Sequence, residues 1–289
     1  MIGYINLGAT LFVPSTHKNL LNILNQKKYP NLKSIVIDAE DGIFDDELQD
    51  ANKIIKNILK NYDKNSLLVF IRPRDATNLK EILEYEKIDE IDGFVLPKFS
   101  LNNVDAYLDA LKDTKHFIMH SIEGSELFDV DALKELRDRL LGYKERILVV
   151  RFGLEDMLRQ LSMKRSCEHS LFDYAVCASV VGSFLAVFKS SGFAVSGGVY
   201  PCFKDEQGFV RDVKRDLREG LFSKTIIHPS QIDLSHQLYK VSKEQLEYAK
   251  MLLNAHKALV NLDGKMGEVK TMSPYAKEII KRAEVYGIS

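Results

Sequence analysis

The 289-residue chain is poor in cysteine, has no long apolar run and carries no surplus of charge of either sign. Each absence closes a class of function. Forty basic residues stand against forty-one acidic ones, a formal charge of −1, so no basic field gathers nucleic acid. Lys and Arg are scattered rather than blocked, which argues against a membrane-surface patch. The longest uncharged stretch, Tyr174 to Phe188, falls short of the roughly 20 residues of a bilayer span and reads as a buried helix. Cys167, Cys177 and Cys202 are odd in number with no CxxC pair, so neither a disulfide framework nor a zinc site is expected. The opening "MIGYINLGATLF" lacks the basic segment and apolar core of a signal peptide. A cytoplasmic protein is the economical reading.

What is present supports a full core: 45% hydrophobic residues, with 28% charged residues for an ordinary surface. Short β-branched runs alternate with helix-length amphipathic segments. Strands are predicted at 9–14, 34–39, 67–73, 93–98, 116–123, 147–153, 193–200 and 224–229. Several are apolar at consecutive positions, as parallel strands covered on both faces require. In "SELFDVDALKELRDRLLGY", Leu133, Leu136 and Leu140 keep a helical stripe that Gly142 can end. Eight such alternations favour an α/β fold of the (β/α)8 TIM-barrel type over a doubly wound sheet. No linker, low-complexity tract or internal repeat divides the chain. The expected organisation is a barrel over 1–235 and a C-terminal helical extension over 236–289, packing on a neighbouring subunit. The loop "NLDGKMGEVKTM" within the extension is expected to have no core of its own.

In a TIM barrel the site lies at the C-terminal ends of the strands, so the residues following each apolar run are the candidates. The second run ends in Asp38, Glu40 and Asp41, the third in Arg72 and Arg74, and the fourth in Lys98. The fifth ends in Glu123, the sixth in Arg151 with Glu155 and Asp156 beyond, and the last in His228. A lone acid at a strand end is usually a solvated loop residue or a helix cap. Acids from three strands on one rim would repel or take up protons unless a cation intervened. Oxygen ligands without a His/Cys cluster suit Mg²⁺ better than zinc. Arg72 is then a natural bidentate partner for an anionic substrate. Lys98 reads as an ion-pair partner rather than a Schiff-base nucleophile, and the Gly pair of "SGGVY" as a turn.

"LFVP", "IDAED", "FIRP", "GFVLPK", "SIEG", "FGLEDM", "KTIIHPSQI" and "GKMGE" occur in this order from about residue 9 to the end. In this series the chain resembles the citrate lyase β-subunit-like proteins of the HpcH/HpaI aldolase superfamily, on a divergent C–C bond lyase-like branch. The resemblance implies a TIM barrel, Mg²⁺ as cofactor, and a homo-oligomer, a trimer or hexamer. It places the metal on Glu123 and Asp156 and the substrate on Arg72, Pro14 and the amides around Leu154 and Glu155. Glu40 and Asp41 would hold metal-bound waters or orient neighbours, and Asp38 would anchor the turn. The family's C-terminal catalytic Asp, supplied by a neighbouring protomer, corresponds to Glu268. Ser15 stands where the family usually has Gly, and Lys18 is the one cation nearby, a departure that bears on CoA binding.

The function expected is a carbon–carbon lyase or aldolase acting on a small 3-hydroxy acid or its CoA thioester, with Arg72 and Glu268 as its catalytic groups. The alternative is a barrel that binds an organic acid or metabolite with little lyase turnover. The substituted first loop and the Asp-to-Glu exchange motivate it. Neither reading involves nucleic acid or a membrane.

Overall fold

A computed structural model describes residues 2–262 and 264–289 of the chain. Two compact units are present, Met1–Ile232 and Asp233–Ser289.

The first unit is built on seven parallel strands: β1 (Ala9–Pro14), β2 (Ser34–Asp38), β3 (Leu68–Arg72), β4 (Gly93–Leu96), β5 (Phe117–Ile122), β6 (Ile147–Phe152) and β7 (Lys224–Ile226). They pair in the order β6-β5-β4-β3-β2-β1-β7. Helices α1 (Leu20–Leu24), α2 (Leu48–Asn61), α3 (Ala76–Leu83), α4 (Val104–Leu111), α5 (Val130–Leu140), α6 (Leu154–Gln160), α7 (Ala175–Ser190) and α8 (Glu206–Arg218) connect them. Six predicted strands match within a residue or two, because buried parallel strands are nearly continuous apolar runs. The stripe Leu133, Leu136 and Leu140 is buried on α5. Gly142 does not end the helical path, which continues as a 3-10 helix over Leu141–Arg146.

The strand expected at 193–200 is reduced to two bridges, Val150 with Val195 and Gly197 with Lys224. These bridges still close the ring. The Val150 amide donates to the Ala194 carbonyl at 2.9 Å, and the Thr225 amide to the Gly197 carbonyl at 3.1 Å. Closure is reinforced by a buried ionic cluster rather than by a longer ladder. Lys224 donates to Asp212 at 2.6 Å, Asp216 at 2.7 Å and the Gly198 carbonyl at 2.7 Å. Arg165 pairs with the other oxygen of Asp212. A Cβ on Gly197 would lie 2.2 Å from an Asp216 oxygen, so glycine is required for the carboxylate to pack against the closing segment. Burial raises the Asp216 pKa against the pull of Lys224. Asp212 is held low by Lys224 and Arg165 although burial opposes them.

The cysteine expectation is overturned. Cys167 and Cys202 form a disulfide with Cα atoms 6.0 Å apart, and Cys177 is free and buried. The partners are 35 residues apart in sequence, and the path out along α7 and back through 193–200 brings them together. Among the described residues no helix is long and apolar enough to cross a membrane. The uncharged stretch from Tyr174 forms most of α7, with Val181, Phe184 and Phe188 in the core.

The second unit begins within α9 (Gln231–Tyr239) and continues through α10 (Lys243–Leu253), β8 (Leu259–Leu262), β9 (Lys265–Glu268) and α11 (Val269–Tyr286). Leu246, Ala249 and Leu252 of α10 pack with Ala276 and Ile279 of α11. The segment expected to be a coreless loop holds the end of β8, all of β9, paired antiparallel with it through Leu259 and Glu268, and the first turn of α11. Asp263, inside that segment, lies outside the described residues.

Removing one member of a buried ionic cluster leaves the others uncompensated, at a cost of about 3–5 kcal/mol. Lys224→Met is therefore expected to lower the thermal midpoint sharply and to loosen the 194–201 segment. Hydrogen exchange of the Thr225 amide reads this directly; unchanged protection would show that the bridges close the barrel without the cluster.

Candidate active site

The side chains of successive strand residues alternate between faces, and that alternation builds the site. Val36, Phe70, Met119 and Val149 belong to one buried apolar cluster. Two residues further along the same strands come Asp38, Arg72, Ser121 and Arg151, all of which line a cleft of roughly 650 Å³. The apolar layer is thus the floor on which a polar layer stands at the C-terminal ends of the strands. Pro14, Asp41, Glu123, Leu154, Glu155 and Asp156 line the same cleft.

Arg72 organises one wall. Its Nε and Nη2 donate to the two oxygens of Asp38, both at 2.7 Å. Its Nη1 meets Glu40 at 3.0 Å and Asp41 at 3.4 Å. Burial works against the guanidinium charge, but Asp38, then Glu40 and Asp41, outweigh it and raise the Arg72 pKa. The bidentate grip on substrate expected from the sequence is already spent on Asp38. Arg72 offers the cleft a fixed positive charge instead. Asp38 does more than anchor a turn: it accepts the Glu40 amide at 3.0 Å as well as the Arg72 fork. Gly42 leaves room for it, since a Cβ there would sit 2.6 Å from an Asp38 oxygen.

Glu40 is fully buried behind this wall, bonded to Arg72 and Lys98. Lys98 also reaches Asp41 at 3.2 Å, so its reading as an ion-pair partner holds. Burial raises the Glu40 pKa against Arg72. For Asp41 burial acts the same way, but the hydrogen bond with Glu40, then Arg72 and Lys98, carry its pKa down.

The opposite acids come from β5 and α6. Glu123 follows β5, is 4% exposed, and its Oε2 has no hydrogen-bond partner among the described residues. Burial pushes its pKa up to about 7, against the Ser121 hydroxyl and Arg72. Gly153 brings α6 against it: a Cβ there would lie 2.2 Å from the Glu123 Cγ. Asp156, in the first turn of α6, pairs with Arg159 at 2.8 Å. Ligand oxygens of Asp41, Glu123 and Asp156 all lie within 4.8 Å of one another.

These residues fit a divalent cation. The donors are all carboxylate oxygens, the preference of Mg²⁺. One of them is a buried oxygen with no other partner among the described residues. Asp38, Glu40, Asp41, Glu123, Glu155 and Asp156 gather here, and Arg72, Lys98 and Arg159 pair with Asp38, Glu40, Asp41 and Asp156.

Sequence reasoning thus named Pro14, Arg72, Leu154, Glu155, Glu123 and Asp156, which the fold brings to one cleft. Asp41, expected to hold metal-bound waters or to orient its neighbours, places a carboxylate oxygen within 4.8 Å of those of Glu123 and Asp156. Glu268 lies in the C-terminal unit, exposed at the end of β9 and preceding α11. Arg151 was noted at its strand end without a role. It is buried, donates to Thr225 at 2.7 Å and Ser196 at 3.2 Å, and faces the Phe12 ring at 5.5 Å. Arg72 faces the same ring at 5.3 Å. The i, i+2 spacing from Val149 was the available signal for Arg151.

The model of the C-C_Bond_Lyase family, of the TIM-barrel fold, matches residues 1–288. The chain is 26% identical to the citrate lyase subunit beta of Escherichia coli over 298 aligned positions, covering 97% of this chain and 94% of the relative. It is 24% identical to the mitochondrial citramalyl-CoA lyase of Mus musculus, over 88% of this chain and 77% of the relative. Among solved structures, CitE of Mycobacterium tuberculosis in complex with magnesium, acetoacetate and coenzyme A superposes with a TM-score of 0.70. That match is 18% identical and covers 96% of this chain and 98% of the other.

The raised pKa of Glu123 has a consequence for the metal-free protein. Its carboxyl titrates near 7 when folded and near 4.5 when exposed, so the folded state binds the extra proton in that interval. Its contribution to stability is fully present below pH 4.5 and is lost as pH rises through 7. Without divalent ions, Glu123→Gln is therefore expected to exceed the parent in stability at pH 8, by up to about 3 kcal/mol, with the gap closing toward pH 5. Urea unfolding at the two pH values measures it; an equal difference at both would contradict the assignment.

Proposed function

We propose that this chain, which belongs to the C–C bond lyase family of the TIM-barrel fold, is a Mg²⁺-dependent lyase. It breaks a carbon–carbon bond in a small 3-hydroxy acid or its CoA thioester, or forms that bond in reverse. The observation that carries this reading is the juxtaposition of the Asp41, Glu123 and Asp156 oxygens within 4.8 Å, in a cleft whose wall holds the fixed charge of Arg72.

Glu123 and Asp156 would hold the ion in this reading. A divalent cation bound there supplies Lewis-acid polarisation of a keto or carboxylate oxygen. Arg72, immobilised by Asp38, opposes the negative charge that develops as the bond breaks, and a preorganised cation needs no rearrangement to do so. The amides of Leu154 and Glu155 lie in the first turn of α6, where helix N–H groups have no intrahelical acceptor, and are donors for a substrate carboxylate. Pro14 forms part of the enclosing wall. Glu268 is the proton-transfer carboxylate, contributed by a neighbouring copy in a homo-oligomer. The relatives support the substrate class: one is a citrate lyase subunit and another a citramalyl-CoA lyase.

The test is incubation of the protein with Mg²⁺ and a panel of 3-hydroxyacyl-CoA thioesters and free 3-hydroxy acids, following keto-acid release. Asp156→Asn is expected to lower kcat/KM by on the order of 100-fold or more while retaining the fold. Silence of the parent protein across the panel, with ligand binding intact, would replace the lyase with an organic-acid-binding barrel.

A further inference from the structure

We propose that Lys98 decides whether Asp41 can ligate the metal directly, and through that choice sets the metal affinity of the cleft. The inference rests on the metal site proposed above. It concerns a residue that is no ligand itself.

Both oxygens of Asp41 are engaged. Oδ1 receives Lys98 Nζ at 3.2 Å, and Oδ2 receives Arg72 Nη1 at 3.4 Å. Yet this carboxylate lies in the same 4.8 Å cluster as Glu123 and Asp156. Glu123, by contrast, presents a buried oxygen without a partner among the described residues. An arriving ion therefore meets at Glu123 one oxygen that no described residue holds, whereas at Asp41 Oδ1 it meets the Lys98 ammonium. Lys98 is a resident cation on Asp41 that would keep this third carboxylate out of direct ligation.

The backbone shows that this placement is built. Lys98 has φ of +46°, in the left-handed region that a residue bearing a Cβ enters only when its surroundings impose it. The surroundings are present on both sides. The Lys98 carbonyl accepts Asn103 Nδ2 at 2.8 Å, and the next amide, of Phe99, donates to the Ser121 carbonyl at 2.8 Å. The preceding carbonyl, of Pro97, accepts the Tyr107 hydroxyl at 3.1 Å. A long, half-exposed lysine would otherwise sample many rotamers. Here its stem starts from a pinned, unfavourable turn and ends on Glu40 and Asp41.

The experiment is calorimetric titration of the full chain with Mg²⁺ in the parent, Lys98→Met, Asp41→Asn and the double variant. Lys98→Met is expected to bind Mg²⁺ roughly 3–10-fold more tightly, the scale of one partly solvated charge. The gain should vanish when Asp41→Asn is already present, and Lys98→Arg should match the parent. An equal gain on top of Asp41→Asn would mean a general field effect and would overturn the proposal, as would no gain at all. Circular dichroism and cooperative melting establish that each variant is folded, with Lys98→Gln replacing Lys98→Met if the latter is not. A parent that binds no Mg²⁺ would overturn the metal site itself, and is distinguishable from a parent that binds without coupling between Lys98 and Asp41.

Discussion

The bidentate pairing of Arg72 with Asp38 is the interaction on which the cleft depends. Arg72 would otherwise be a buried cation among Glu40, Asp41 and Glu123, free to collapse onto whichever lay nearest. Held at 2.7 Å by both Asp38 oxygens, it keeps one Nη for Glu40 and Asp41. Across the cleft, one Glu123 oxygen has no hydrogen-bond partner among the described residues. The low dielectric of the barrel makes each of these charges costly alone, so the network is an arrangement of mutual compensation. Its surplus of acid is the part left for a divalent ion.

The barrel carries this charge because its two layers are separated along each strand. Residues two apart share a face, so the strand that contributes Val36 to the apolar layer contributes Asp38 to the polar one, and Phe70 is followed likewise by Arg72. The apolar layer excludes water beneath the site, while the polar layer opens to the cleft. Closure at the weakest point of the ring, where one strand is only two bridges, is handled by the opposite device. There Lys224 and its two aspartates are buried and satisfied by one another. One ionic cluster holds the scaffold together and the other is left short of positive charge.

Much of this was legible in the chain. Apolar runs ending in charge located the strand ends, the barrel rule made them one rim with Glu123, Asp156 and Arg72 among its residues, and the family resemblance singled those three out. Three features were not legible. The role of Asp38 is hidden because nothing local distinguishes an acid that caps a turn from one that grips an arginine 34 residues away. The Cys167–Cys202 disulfide was missed because odd cysteine counts at wide spacing carry no pairing information. The reduced strand at 193–200 was overestimated because β propensity reports fit to a pleated surface and not the length of the ladder formed.

The amino-acid sequence by itself determined the fold class, the face each strand side chain occupies and the identity of the acids at the rim. Periodicity and residue type are local properties, and they suffice for those. Only the tertiary structure decided how the charges are shared: which acid neutralises Arg72, which is held by Lys98 and which keeps an open oxygen. Electrostatic partnership depends on distance in space and on burial, and both are set by elements that meet only after the barrel closes.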